Sequence, residues 1–300
     1  MFDPGTHRDG DETLDVINVN NLTYVYPDGT EVRFGAETKF TVKQGEKVVL
    51  IGANGSGKST LLSVIMGLYR PTEGQVTVLN QSPTRDFKQV RKKIGVVFQN
   101  VDEQIIGPRV FDDIAFTLRQ NGMAKEAIEA RVKEVTSLLK LEDKLDKIPH
   151  YLSGGEKQKV ALAGAIVHHP EILILDEPLD SLDMKSRNEV EGLLNRLNAD
   201  MGITVVLTTH EVNWVPRFAD TVYLLAGGKI ISSGSPKEVL ADESKLWASD
   251  LEPPVLVSFF QRLQRHGLNL ETPVDLREAE KLMARYLMEV ENKKGPERKL

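Results

Sequence analysis

The run Gly52-Ala53-Asn54-Gly55-Ser56-Gly57-Lys58-Ser59 has the spacing G-x-x-x-x-G-K-[ST]. Such a run is a phosphate cradle. Its glycines let successive backbone N–H groups converge on a triphosphate, Lys58 reaches the β- and γ-phosphates, and Ser59 can hold Mg²⁺. Further along, Ile172-Leu173-Ile174-Leu175-Asp176-Glu177 is an apolar strand that ends on two acids. Asp176 would hold the metal at the sheet edge, and Glu177 would orient and polarise an attacking water. His210 follows the apolar residues Val205, Val206 and Leu207, which places it at the same sheet edge. Between these runs stands Leu152-Ser153-Gly154-Gly155-Glu156, a hydroxyl and two glycine amides at a helix N-terminus, which is a second anion site. One chain with two anion sites implies a nucleoside triphosphate and a partner.

The elements that must hold these residues can be read around them. Lys47–Ile51 is a buried strand entering the cradle, and residues 60–66 form the helix leaving it. Residues 15–26 alternate apolar and polar like a half-buried strand, and Pro27-Asp28-Gly29 is a turn. One more strand precedes Gly45, and others are expected at 75–79, 94–98, 172–175 and 204–207. Helical periodicity covers 112–147, 160–168 and 185–198. Strands alternating with helices predict an α/β fold with a mainly parallel sheet, helices on both faces, and nucleotide at the carboxyl ends of the strands. Residues 221–231 read as a closing hairpin. Past Pro253-Pro254, helices are expected at 255–264 and 276–290, with Val255, Leu256, Phe259, Phe260 and Leu263 as one apolar stripe.

Composition narrows the classes. The absence of cysteine excludes disulfides, and a formal charge of −6 argues against a nucleic-acid partner. Residues 1–12 are polar, with no apolar signal segment, and no apolar run is long enough to span a membrane. Membrane work would require another chain to supply the spanning part.

In their order, these motifs resemble the ATPase subunit of an ATP-binding-cassette (ABC) transporter, over about residues 16–240. The resemblance implies a P-loop ABC ATPase fold over 15–240, with an N-terminal antiparallel β part and a helical signature subdomain near 100–168. A flexible N-terminus over 1–14 and a C-terminal helical extension over 241–300, a possible dimerisation element, complete the expected organisation. It implies Tyr26 stacking on adenine, Gly52 to Thr60 as Walker A, and Gln99 as the Q-loop residue, acting in catalysis and on Mg²⁺ with Ser59 and Asp176. Asn54, Gly55, Ser56, Gly57 and Lys58 would bind ATP. Ser153, Gly154, Gly155 and Glu156 match the signature, residues 173–177 Walker B, Ser181, Leu182 and Asp183 the D-loop, and His210 the switch histidine. The signature residues and Asp183 would act in trans, on nucleotide held by a second subunit, in a homodimer or a heterodimer. Two positions depart from the pattern: Glu156 replaces a glutamine, and Asp180 replaces a small residue.

A second tier of resemblance points to the energy-coupling-factor group and its cobalt and nickel relatives. It rests on Phe98-Gln99-Asn100-Val101-Asp102-Glu103-Gln104, on Glu252-Pro253-Pro254 followed by two short helices, and on the absence of a fused membrane domain. The expected function is to power import of a trace metal ion or vitamin from the cytoplasmic face of the membrane, bound to integral membrane subunits. The alternatives are the ATPase of another transporter class, or a non-transport ATPase acting on nucleic acid or ribosomes. The short interval between cradle and signature and the single set of motifs weigh against the last. The six histidines are scattered, so no cargo-metal cluster is expected.

Overall fold

The computed structural model describes residues 14–34, 39–180, 182–268 and 270–294. Chain order begins with three antiparallel-sheet strands, β1 (Asp15–Val25), β2 (Glu31–Phe34) and β3 (Phe40–Lys43). The strand β4 (Lys47–Ile51) then feeds helix α1 (Lys58–Ile65), and β5 (Glu73–Val78) returns antiparallel to β1. The single strand expected before Gly45 is thus two, both antiparallel to β1. Helix α2 (Phe87–Arg91) leads to β6 (Ile94–Val97).

Four helices occupy the stretch before the next strand: α3 (Val101–Gln104), α4 (Val110–Gln120), α5 (Lys125–Leu139) and α6 (Gly154–Ile166). The continuous helical pattern over 112–147 breaks at Gly122, whose φ of 73° is left-handed. Helix α6 starts at Gly154 rather than Val160, because its initial glycines carry no apolar periodicity. Then come β7 (Ile172–Leu175), α7 (Met184–Met201), β8 (Thr204–Thr209), β9 (Thr221–Ala226) and β10 (Lys229–Gly234). The chain continues with α8 (Pro236–Leu240), α9 (Glu243–Trp247), α10 (Val255–Arg265) and α11 (Leu276–Lys294).

The central sheet runs β10-β9-β4-β8-β7-β6, parallel throughout except for the edge hairpin β9–β10. The inner strands β9, β4, β8 and β7 are buried along nearly their whole length, as a covered parallel sheet requires. Val48 and Leu50 of β4 face a core built from α1 and the antiparallel sheet, while Val49 and Ile51 face the core of α4 to α7. Because β4, β7 and β8 are parallel neighbours, their carboxyl ends deliver the phosphate loop, Asp176 and His210 to one edge.

The C-terminal helices share the second core: Leu246, Leu251, Val257 and Val274 pack with Trp214 and Phe218. The apolar stripe expected on α10 is divided. Phe260 is buried together with Val257, which the stripe left out, while Val255 and Phe259 are 71% and 54% exposed. The docked side was set by the core beneath it, which a helix pattern taken alone does not contain. The flexible stretch expected over 1–14 falls, except for Leu14, outside the described residues.

Candidate functional site

The phosphate loop is shaped by close backbone approach. A Cβ on Gly52 would lie 2.6 Å from the Leu225 carbonyl oxygen, and Gly55 and Gly57 hold φ of 79° and 101°. The hairpin turn after β9 buttresses the loop: Gly228 N donates to Ser56 O at 3.1 Å. Lys58 is 95% buried at the head of α1, where Nζ donates to the carbonyls of Gly52 and Ala53 at 2.8 and 3.2 Å. The same Nζ lies 3.2 Å from Glu177 Oε1.

Asp176 and Glu177 leave β7 in different directions. Thr208 of β8 donates its hydroxyl to Asp176 Oδ1 at 2.5 Å and accepts from the Glu177 N–H at 2.9 Å, so one side chain sets both acids. Glu177 sits at φ 48°, a left-handed conformation costly for a residue with a Cβ and concentrated at functional sites. Its Oε2 accepts from Gln99 Nε2 at 2.8 Å, and its Oε1 lies 3.5 Å from His210 Nδ1. Tyr26 bonds its hydroxyl to that of Thr60 and stands edge-on to the stacked rings of Tyr24 and Tyr69.

A cavity of about 380 Å³ gathers Tyr26, Lys58, Ser59, Thr60, Gln99 and Glu177, with Asn54, Gly55 and Gly57 also in its wall. The expected nucleotide residues from four separate elements are therefore brought together. Ser56 Oγ is buried without a hydrogen-bond partner among the described residues, a donor that a phosphate oxygen would satisfy. Ser59 and Asp176 offer hard oxygen donors of the kind Mg²⁺ takes. The residues present fit both groups.

The signature residues lie elsewhere. Among the described residues, Ser153, Gly154, Gly155, Glu156 and Asp183 are absent from that cavity's lining. Ser153 caps α6 in a closed box. Glu156 N donates to Ser153 Oγ at 3.3 Å, while Glu156 Oε2 accepts from Ser153 N and Oγ at 2.9 and 3.0 Å. Lys144 Nζ stands 3.3 Å from Glu156 Oε1. The Ser153 amide is the main cause holding the Glu156 carboxyl below its usual range, with burial opposing and Lys144 assisting. Asp183 caps α7, accepting from Lys185 N and Ser186 N at 3.0 Å each, and from the Ser186 hydroxyl at 2.8 Å. Gly155 packs onto that turn: a Cβ there would lie 2.8 Å from the Ser186 Cβ. The turns that open α6 and α7 are therefore one packed unit.

Three contacts carry no signal in local sequence. Lys157 at 2.6 Å from Asp102 ties α6 to the segment just past Gln99. Gln104 accepts from Phe98 N at 2.8 Å and donates to Val96 O at 3.0 Å, stitching α3 to the end of β6. Asp180 packs against His210. Only the departure at 180 was visible beforehand.

A mainly parallel sheet with a phosphate loop after β4, paired acids after β7, and a second glycine-bearing helix entry outside the cavity at the loop has the build of a P-loop ATPase cassette. The chain belongs to the ABC transporter ATPase family, whose model, described as ABC transporter, matches residues 36–180. The energy-coupling factor transporter ATP-binding protein EcfA of Methanocaldococcus jannaschii is 39% identical over 278 residues, covering 91% of this chain and 99% of its own. The structure of cbiO1 from Clostridium perfringens, part of the ABC transporter complex cbiONQ, aligns at TM-score 0.71 and 32% identity, over 82% of this chain and 99% of that one. A dimeric ATP-binding cassette in a post-hydrolysis state with ADP and Pi aligns at TM-score 0.65 and 31% identity, over 73% and 98%. The chain is thus a nucleotide-binding ATPase subunit of a transporter. None of its described helices is long and apolar enough to cross a membrane.

Proposed function

We propose that this chain powers an importer of the energy-coupling-factor type for a trace metal ion, such as cobalt or nickel, or a vitamin. It would work from the cytoplasmic face of the membrane as one of two ATPase subunits bound to integral membrane subunits. The likeness to EcfA and cbiO1 supports the class. The observation that carries a membrane partner is an apolar groove of about 320 Å³ beside the Gln99 segment. Leu68, Phe98, Ile106 and Phe116 line it, each more than 40% exposed, around a half-buried Asp113 whose carboxyl burial pushes up. A groove of this kind takes a short helix from another chain.

In the site, Lys58 would bind the β- and γ-phosphates, and Ser59, Gln99 and Asp176 would hold Mg²⁺, which would supply charge neutralisation. Tyr26 packs on adenine and His210 addresses the γ-phosphate. Both oxygens of Glu177 have partners: Lys58 at one, Gln99 at the other. A triphosphate competes for Lys58, and loss of that contact frees the carboxylate to polarise water. Ser153, Gly154, Gly155, Glu156 and Asp183 complete the nucleotide site of the second subunit. On the extension, exposed Val255 and Phe259 support a contact between two copies. Phe259→Ser leaves buried Val257 and Phe260 in place, and light scattering without nucleotide should then report monomer.

Co-expression with candidate membrane subunits tests the reading. Recovery of a membrane complex that takes up labelled cobalt, nickel or vitamin in vesicles supports it, and recovery with ribosomes or DNA overturns it. In that complex, Glu103→Ala and Gln104→Ala should reduce uptake more than basal ATPase.

A further inference from the structure

His210 has a nearer partner than Glu177. Its Nδ1 lies 3.0 Å from Asp180 Oδ2 and 3.5 Å from Glu177 Oε1. Asp180 is largely buried, with a side chain 11% exposed, and its Oδ1 accepts the Thr209 hydroxyl at 3.2 Å. Of the other charged groups nearby, Glu211 is engaged in a two-pronged pair with Arg187, and Lys58 is engaged with Glu177. The approach is at ion-pair distance without hydrogen-bond alignment, and Asp180 Oδ2 is buried with no hydrogen-bond partner among the described residues, an unsatisfied acceptor that a small turn of the ring would supply with the Nδ1 hydrogen. The other ring nitrogen, Nε2, is left at the far edge of a ring that is 43% exposed.

We propose that Asp180 is a positioning residue for hydrolysis: it holds His210 by Nδ1–H, fixes its tautomer, and draws that hydrogen away from Glu177. The carboxylate that must accept from water is then not consumed by the imidazole beside it. Thr209, tied to Asp180 and accepting the Glu211 N–H at 3.0 Å, sets the carboxylate in turn. A small residue at 180 would leave Glu177 as the one acidic partner of the ring. Burial is the main cause pushing the Asp180 carboxyl up to about 6, which His210 opposes and Glu177 assists. The arrangement costs stability to keep.

This inference rests on His210 serving the γ-phosphate, so both residues are varied in the purified full-length chain with Mg-ATP. Asp180→Asn, which keeps shape and one acceptor, and Asp180→Ser should lower kcat about tenfold while KM for ATP stays within about twofold. In a His210→Ala background, Asp180→Ser should have no further effect, because the two act as a unit. Ring-nitrogen chemical shifts of His210, assigned by its absence in His210→Ala, should report hydrogen on Nδ1 in the parent and mixed tautomers in Asp180→Ser. If His210→Ala hydrolyses normally, the placement of His210 fails and takes this inference with it. If His210→Ala is inactive while both Asp180 variants keep parental kcat and tautomer, the inference alone is overturned.

Discussion

The phosphate loop and the signature are both glycine-bearing entries into helices, and they stand in opposite chemical conditions. Around α1 the chain leaves one donor uncommitted: Ser56 Oγ has no partner among the described residues, and left-handed Gly55 and Gly57 open the loop around a buried Lys58. Around α6 the donors are committed: Ser153 gives both N–H and O–H to Glu156, whose second oxygen is paired with Lys144. The phosphate-holding half of the first site is finished by its own chain. The second keeps itself closed, and an incoming phosphate must displace an internal carboxylate to gain the serine hydroxyl. From that difference we expect nucleotide to bind the loop first and to meet the signature segment of a second copy afterwards.

The largest effects should come from breaking the finished site. Lys58→Ala should reduce nucleotide affinity and hydrolysis together, whereas Glu177→Gln should preserve affinity and lower turnover by about a hundredfold or more. Equilibrium nucleotide binding beside steady-state ATPase separates the two. Next comes the division of labour between copies. Lys58→Ala and Ser153→Ala chains, each inactive alone, should regain activity when mixed, since one of the two shared sites is then assembled from intact halves. No recovery would mean that loop and signature do not meet across the pair.

A smaller effect should come from the self-closure of α6. Lys144→Ala leaves the Glu156 charge beside the approaching phosphate, so KM for ATP should rise by about two- to tenfold, and Glu156→Gln in the same chain should restore it. The smallest concerns stability at the finished site. Because burial raises the Asp180 carboxyl to about 6 from 3.8, the native state holds its proton over that window and the unfolded chain does not. Stability therefore falls as pH rises from about 4 to 6. Asp180→Ser should raise Tm at pH 8 by a few degrees and lose that gain near pH 4.

Much of this site was legible because its chemistry is local in sequence. Gly52 to Ser59 and Asp176-Glu177 announce strand, turn and ligand set within a few residues. What escaped depends on distant neighbours. Asp180 could be recognised as unusual, yet its contact with His210 forms only when β7 and β8 align their ends. On α10 the sequence offers several apolar faces, and the core under Val257 selects one. Helices α2, α3, α8 and α9 are each four or five residues long, too short for a helical period to emerge.

The seating of Gly155 on Ser186 has an evolutionary consequence. Any side chain added at 155 collides with residue 186, whose hydroxyl and amide are already held by Asp183. The three positions are therefore expected to vary together, which a comparison of homologous sequences would check. A lineage that enlarges 155 must first shrink 186, and in doing so it loosens the cap on α7. Drift at any one of them is channelled through the other two, although each belongs to a different or to no named motif.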